Sequence, residues 1–370
     1  MNLIRIWGIV FILLWIFTIP FPLNSIPNPV YYFEAFFSNV EQGICHIFAL
    51  NFEFSGHFYS DSIDLQIHVI FIVILAFLSS IGIQKLRKTN SEKLSQILLL
   101  ISSYTLAFFL LKYGCDKLFK LQFYYPEPNI LHSEFGKLDL DILYWSTIGK
   151  SHSYNIFLGL IEIIPAFLLF FARTRKLAAC IALAVLIHVL MINISYGIEV
   201  KMLSSFLIFL SIIILSYYWK SLFGFFFQNK IISDKETTQM FKNQKLKRFI
   251  KFAVIFFICL ESSFFAFSTG IYNGDHKHKI KEYGAYTLEY NDLQLNKQFH
   301  SKEKFKRFFI HSKNYIIFEN EKGEMFDFKF KKINRTFWIQ VDKKLIQFNF
   351  RKSCFLMYKT CIPVSIKSIR

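Results

Sequence analysis

The stretches KYGCDKLFKLQF at residues 112–123 and NISYGIEVK at 193–201 bound the part of the sequence that decides the fold. Between them lie long apolar runs that charged or amide residues interrupt repeatedly. An ionisable side chain is costly in hydrocarbon, so it usually faces the interior of a helix bundle and indicates a site. This region therefore predicts a bundle of membrane helices that encloses polar side chains.

The overall composition places the chain in the membrane class. Of 370 residues, 54% are hydrophobic, and the mean hydropathy is +0.36. The net charge of +17 is typical of cytoplasmic anchoring charges, and no basic stripe interleaved with aromatic residues indicates nucleic acid. Six Cys are scattered without a C-x-x-C pair, so the sequence predicts no metal site and no redox dithiol.

Seven stretches have the ~20 residues that a helix needs to cross a bilayer. They cover about residues 6–23, 65–83, 96–119, 154–171, 177–196, 201–218 and 252–269. A cleaved signal peptide is the rival interpretation of the first stretch. We favour a retained span, because the stretch is long and lacks a small-residue cleavage site.

The charges of the connecting loops predict the orientation. Residues 24–64 contain no Lys or Arg, whereas residues 84–93 and 219–251 are basic. By the positive-inside rule, the N-terminus and the basic loops lie in the cytoplasm, and the loop 24–64, residues 120–152 and the C-terminal part lie outside.

From about residue 275 the pattern changes to an alternation of period two. MFDFKFK at 325–331 and LIQFNF at 345–350 are typical of strands, and they predict a small antiparallel β domain of six to eight strands. Disulfides persist outside the cell, so Cys354 and Cys361 could pair across a hairpin; two separate thiols are the equally weighted alternative.

The predicted fold is mainly α, with a polytopic bundle of about seven helices followed by the β domain. The chain divides into a two-span region (1–94), a four-helix core (95–218), a basic loop with the seventh span (219–269) and an external β-rich domain (270–370).

Four ionisable residues fall at a similar predicted depth on four spans: Lys112, Glu162, His188 and Glu261. We expect Glu162 or Glu261 to pair with Lys112, and His188 to move a proton. Interhelical hydrogen bonding and snorkelling of Lys112 are the structural alternatives.

The wider set of polar candidates adds Lys117, Asn193, Tyr196 and Lys201. We expect Lys117, Asp116 and Lys201 at the head-group interface. His68 and His188 do not form a convincing haem pair.

Four strings resemble the DoxX-like membrane family, and most closely its longer bacterial members: YGCDKLFKLQF, WSTIGKSHSYNIFLGLIE, FFARTRKL and NISYGIEVK. The resemblance covers about residues 105–210. It implies family-motif positions at Tyr113, Gly114, Lys117, Gln122, Trp145, Tyr154, Gly159, Glu162, Asn193, Tyr196 and Lys201. The chain departs from the family at Gly197, where many relatives carry an aspartate, and at Phe206, where some carry a histidine.

The resemblance implies a four-helix membrane core, and the family's namesake is a membrane subunit of a thiosulfate–quinone oxidoreductase. It therefore favours a redox-linked subunit of the bacterial inner membrane, with a quinone or lipid-like ligand between the core helices. Such a protein would need a partner enzyme, because no flavin or nucleotide motif is present.

Two further functions stay open. One is a non-catalytic anchor or assembly protein of the envelope, which binds a protein partner through residues 270–370. The other, a small-solute or proton-coupled transporter, is less favoured because the sequence has no repeats. A soluble hydrolase is not indicated, because no nucleophile elbow, HExxH or P-loop occurs.

Overall fold

A computed structural model describes most of the chain. The described residues are 2–19, 23, 25, 30–47, 58, 60–86, 90–230, 243–273, 282–288, 304–311, 314–333, 336–341, 344–354 and 359–368. Side chains at 30–32, 247, 333, 336 and beyond 340 are outside the description. The chain forms two compact units: unit 1 comprises residues 1–122 and 152–272, and unit 2 comprises residues 123–151 and 273–370.

The described helices, in chain order, are α1 (Asn2–Thr18), α2 (Val30–Ile47), α3 (Ile63–Leu86), α4 (Ser91–Leu118), α5 (Pro128–Leu131), α6 (Leu140–Lys150), α7 (His152–Leu169), α8 (Arg175–Ser195), α9 (Lys201–Tyr217), α10 (Trp219–Gln228) and α11 (Gln244–Thr269). Asn side chains cap two of them, since Asn90 accepts from backbone N–H groups at the start of α4 and Asn243 does so at the start of α11.

Within the described residues, five helices are long and apolar enough to cross a membrane: α3, α4, α7, α8 and α11. A sixth span is obtained if α9 and α10 are counted as one, although the two helices meet at a bend of 77°. The expected first span is the 17-residue apolar helix α1. A mainly helical chain with several membrane-capable helices is thus confirmed, and the number of seven spans stays a prediction.

α4 is the central helix of unit 1. In its most apolar window 61% of the residues are buried inside the protein, against at most 33% for the other long helices. It contacts α1, α7, α9 and α11. Because α4 is the most enclosed of the five long helices that the structure describes, its polar side chains meet protein more than lipid.

The segment 24–64, predicted as an external loop, contains helix α2. Phe37, Glu41 and Cys45 are buried, and their spacing of four residues places them on one face of the helix. A buried carboxylate on that face is unexpected for a simple connection, and its partner is described below.

Unit 2 contains a closed barrel of seven strands: β1 (Gly284–Leu288), β2 (Phe305–Ile310), β3 (Tyr315–Asn320), β4 (Met325–Ile333), β5 (Thr336–Val341), β6 (Lys344–Cys354) and β7 (Lys359–Ser368). Consecutive strands are antiparallel, which confirms the small β domain. The closing pair, β1 with β7, is parallel and differs from the prediction.

The alternation in β4 has the predicted effect. Phe326, Phe328 and Phe330 are partly or fully buried, whereas Asp327 and Lys329 are exposed. The inward rings join a core that includes Phe305, Phe308 and Phe318. Period two therefore places one face of the strand in the barrel interior.

Residues 123–151 belong to the same compact unit as the barrel, and α5 contacts β1 and β2. The compact unit therefore contains most of the predicted domain 270–370 and, in addition, the connection between α4 and α7. In the barrel backbone, Cys354 lies opposite Lys359 and Cys361 opposite Lys352. Both cysteine side chains lie outside the described residues, so their pairing stays a prediction.

Candidate functional site

Two glycines bring α4 and α7 into close contact. A Cβ atom at Gly114 would lie 2.7 Å from Cγ1 of Ile163, and one at Gly159 would lie 2.7 Å from the carbonyl oxygen of Gly114 and 3.0 Å from the backbone nitrogen of Leu118. Gly114 thus faces Ile163 while Gly159 faces Leu118, so the helices are antiparallel. Small residues allow this approach between apolar helices.

A buried ion pair lies beside this crossing. Lys117 Nζ donates to Glu162 Oε2 at 2.8 Å, and the residues are only 7% and 4% exposed. Each follows its glycine by three residues, which places it on the same helix face. Lys117 Nζ also lies 5.8 Å from the ring centroid of Tyr113, within the range of a cation–π interaction. This pair is the centre of the candidate site.

The partners differ from those expected. Lys112 donates to both carboxylate oxygens of Asp116 at 2.6 Å, one turn along the same helix. Lys117, expected at the head-group interface, is the lysine that faces α7. The reason is helical geometry: Lys117 lies on the Gly114 face, whereas Lys112 is five residues, or about 140°, away from Lys117.

Two of the expected acid–base residues lie elsewhere. Glu261 on α11 is fully buried and accepts a hydrogen bond from the backbone N–H of Ser25 at 3.0 Å. His188 lies on an exposed face of α8. The structure therefore does not bring these two residues to the Lys117–Glu162 pair, although their predicted depth is similar.

The polar residues near the end of α8 tie helices together. Asn193 donates to Ser204 Oγ at 2.7 Å and joins α8 to α9. Lys201 begins α9 and its Nζ donates to the carbonyl oxygen of Ile198 at 3.0 Å. Tyr196 follows α8 as its half-buried C-terminal cap. These contacts connect α8, α9 and the turn between them.

The remaining family-motif positions occupy varied environments. Gln122 is half-buried. Trp145 packs edge-on against Phe123, with ring centroids 5.0 Å apart. Tyr154 is 42% exposed. The implied motif thus converges at Tyr113, Gly114, Lys117, Gly159 and Glu162 only.

Sequence reasoning missed a second buried polar cluster, which joins α1, α2 and α3. His68 is fully buried; its Nδ1 lies 2.6 Å from Glu41 Oε1, and its Nε2 lies 2.7 Å from Thr18 Oγ1. The Thr18 hydroxyl donates to the carbonyl oxygen of Leu14 at 2.8 Å. In the bond between His68 and Thr18, Nε2–H must therefore be the donor. Phe58 stacks on the imidazole at 4.2 Å.

Both nitrogens of His68 are therefore engaged by protein groups, which leaves neither for a haem iron. The signal in the sequence is Glu41, which interrupts the apolar face of α2 between Phe37 and Cys45. Among the residues that the structure describes, no group of three His, Cys, Asp or Glu side chains could hold a metal ion.

Unit 2 has a cleft of about 270 Å³ between residues 130–142 and the barrel. Lys137, Arg307 and Glu319 are among its lining residues. Arg307 Nη2 donates to Glu319 Oε1 at 2.8 Å and to the carbonyl oxygen of His132 at 3.2 Å. Burial and the nearby Arg307 charge lower the pKa of His132. These contacts hold the connecting segment against the barrel.

Comparison with known proteins gives one informative relative. The chain is 34% identical over 120 residues to the uncharacterised protein YwoB of Bacillus subtilis (strain 168), and the match covers 30% of this chain and 78% of YwoB. No family model matches the chain, and no solved structure matches it.

Proposed function

This chain belongs to the family of YwoB, and within that family we propose that it is a redox-linked membrane subunit, which binds a quinone or lipid-like molecule between its core helices. YwoB is itself uncharacterised and contributes no activity. Support comes from the Lys117–Glu162 pair and from the resemblance to the DoxX-like family, whose namesake serves a quinone-linked oxidoreductase.

The buried ion pair is the observation that carries this function. Burying two charges costs several kcal/mol per ion, and apolar residues of similar volume often stabilise a protein as well or better. Lys117 and Glu162 are therefore a poor choice for stability alone in a bundle of apolar helices. Ionisable residues at such positions indicate a ligand or proton site.

The residues present fit the head group of a quinone. Lys117 offers an ammonium donor and Glu162 a carboxylate that can hold a proton. Tyr113 and Ile163 supply aromatic and aliphatic surface beside them. A quinone supplies two-electron chemistry coupled to proton uptake when bound. In this role Lys117 would orient a carbonyl oxygen and Glu162 would hold a proton near it.

We assign the protein to the bacterial inner membrane, with the N-terminus inside and unit 2 outside. The Lys/Arg distribution of the loops supports this orientation. Residues 123–151 and 273–370 form one compact unit, so they share one side of the membrane. This agrees with a topology in which both segments are external.

Mass spectrometry of lipids and quinones that co-purify with the protein tests the function. We expect a quinone with wild type, none with Glu162→Gln, and an unchanged amount with His188→Gln, the matched control on an exposed helix face. Equal retention by all three proteins, or no quinone in any, contradicts a site at Lys117–Glu162.

The cleft in unit 2 favours a second function, that of an anchor which binds a protein partner outside the membrane. It is lined by charged side chains, including Glu134, Lys137 and Arg307, and its size suits a few side chains of a partner. A photo-crosslinking amino acid at Lys137 should then yield one defined protein adduct in cells. The same amino acid at His188 should not, and the absence of an adduct from both contradicts this function.

A further inference from the structure

Helix α10 turns sharply away from the bundle. α9 ends at Tyr217, and α10 continues from Trp219 at an angle of 77° to it. Its ten residues, WKSLFGFFFQ, span about 15 Å at the usual rise of an α-helix. A helix of this length is too short to cross a bilayer by itself, since a span needs ~20 residues.

The exposed side of α10 is aromatic. Trp219, Phe225, Phe226 and Phe227 are between 61% and 74% exposed, while Ser221 and Gly224 face the protein. Contiguous apolar rings of this kind are unfavourable in water. Trp and Phe are typical of helices that lie in the head-group region, with their rings at the boundary of the acyl chains.

Cations accompany this aromatic surface. Lys220 is exposed on α10, and Lys176 Nζ at the start of α8 donates to Ser221 Oγ at 2.7 Å. No Asp or Glu occurs in residues 219–230. Lys176 thus brings a cation onto α10, and Lys220 and the exposed Lys230 add two that α10 and its C-terminal flank carry themselves.

We propose that α10 is a membrane-surface helix that selects anionic phospholipid. The aromatic side chains enter the head-group region, and the exposed Lys220 and Lys230 donate to the phosphate of the lipid. Charge complementarity favours this occupant, because residues 219–230 carry Lys220 and Lys230 and no Asp or Glu. This surface is separate from the Lys117–Glu162 site.

The first test measures lipid selectivity of the full-length protein by native mass spectrometry from mixed phosphatidylglycerol and phosphatidylcholine micelles. We expect preferential retention of phosphatidylglycerol, and a loss of about five-fold for each cation removed in Lys220→Gln/Lys230→Gln. The control, Lys150→Gln/Lys306→Gln, removes two exposed cations from unit 2 and should keep the preference. Equal preference in both double variants overturns the lipid site.

The second test places α10 in the bilayer. In nanodiscs with brominated lipids, the difference in Trp fluorescence between wild type and Trp219→Phe isolates Trp219. We expect strong quenching by bromine near the head group and weak quenching at the acyl-chain end. The absence of quenching means that α10 faces water or a second copy, and overturns the membrane assignment.

Discussion

Gly114 and Gly159 face each other where α4 and α7 cross, at a distance that leaves no room for a side-chain carbon on either helix. The same helix faces carry Lys117 and Glu162, whose side chains are joined at 2.8 Å. Close packing and the ion pair therefore depend on each other, because a wider crossing would separate the charged groups or admit lipid between them.

A methyl group at the crossing should destabilise the bundle. Gly159→Ala places its Cβ 2.7 Å from the carbonyl oxygen of Gly114, which is backbone and cannot rotate away. We expect a loss of about 1–3 kcal/mol in the free energy of unfolding, as for other overpacked cores. Thermal unfolding of the purified protein in detergent measures it.

Gly82→Ala in α3 is the matched control, since a Cβ there would meet nothing within 4 Å. Ala favours helix over Gly by up to about 1 kcal/mol, so this variant should be neutral or more stable. Equal stability of the two variants would show that α4 and α7 are not tightly packed.

Removing one charge of the Lys117–Glu162 pair should lower the free energy of unfolding more than removing both charges does. Glu162→Leu leaves the Lys117 ammonium buried without its carboxylate, which costs about 3–5 kcal/mol. Lys117→Met/Glu162→Leu removes both charges and should recover most of that stability. Glu162→Gln keeps a hydrogen-bond acceptor and should unfold between these extremes. Equal unfolding temperatures for all three variants would show that the ion pair does not form.

The topology can be tested by alkaline phosphatase fusions. We expect activity after residue 275 and none after residue 235. A fusion after residue 135 should match the one after residue 275, because both segments belong to one compact unit. Activity at only one of residues 135 and 275 would contradict the single compact unit. Reversed results at all three positions would mean that the protein has the opposite orientation in the membrane.

Stability of unit 2 should decrease on mild acidification. Burial lowers the pKa of His311 below 6.5, although Glu127 at 3.9 Å acts in the opposite direction. The unfolded chain then binds the proton at a higher pH than the folded chain, so stability is lost as the pH falls through and below 6.5.

For one histidine this slope is at most about 1.4 kcal/mol per pH unit. Limited proteolysis of the full chain in urea, at about pH 7.5 and pH 5.5, measures it across the range in which histidine titrates. His311→Gln should reduce the difference between the two conditions. An unchanged difference would assign the dependence to other groups.

Much of the helical architecture follows from local sequence. Apolar length predicts α3, α4, α7, α8 and α11, and the alternation around Phe326, Phe328 and Phe330 predicts strand β4 with its inward face. These features depend on neighbouring residues and on their preference for lipid or protein interior.

The ion-pair partners could not be predicted in the same way. Depth along a span places Lys112, Glu162, His188 and Glu261 at one level, but it does not say which face each residue occupies. The useful signal was the spacing of a glycine three residues before Lys117 and of another before Glu162. The Glu41–His68–Thr18 cluster needs contacts between residues 27 and 50 positions apart, which no local pattern encodes.

The composition of unit 2 from two separated segments has a consequence for biosynthesis. Residues 123–151 leave the ribosome more than one hundred residues before residue 273. If both are exported, the first segment crosses the membrane while helices α7 to α11 are still being synthesised and inserted, and it waits there without the barrel of its unit. In that topology the assembly of this unit would follow membrane insertion, and during the interval the segment would be exposed to the chaperones and proteases outside the membrane.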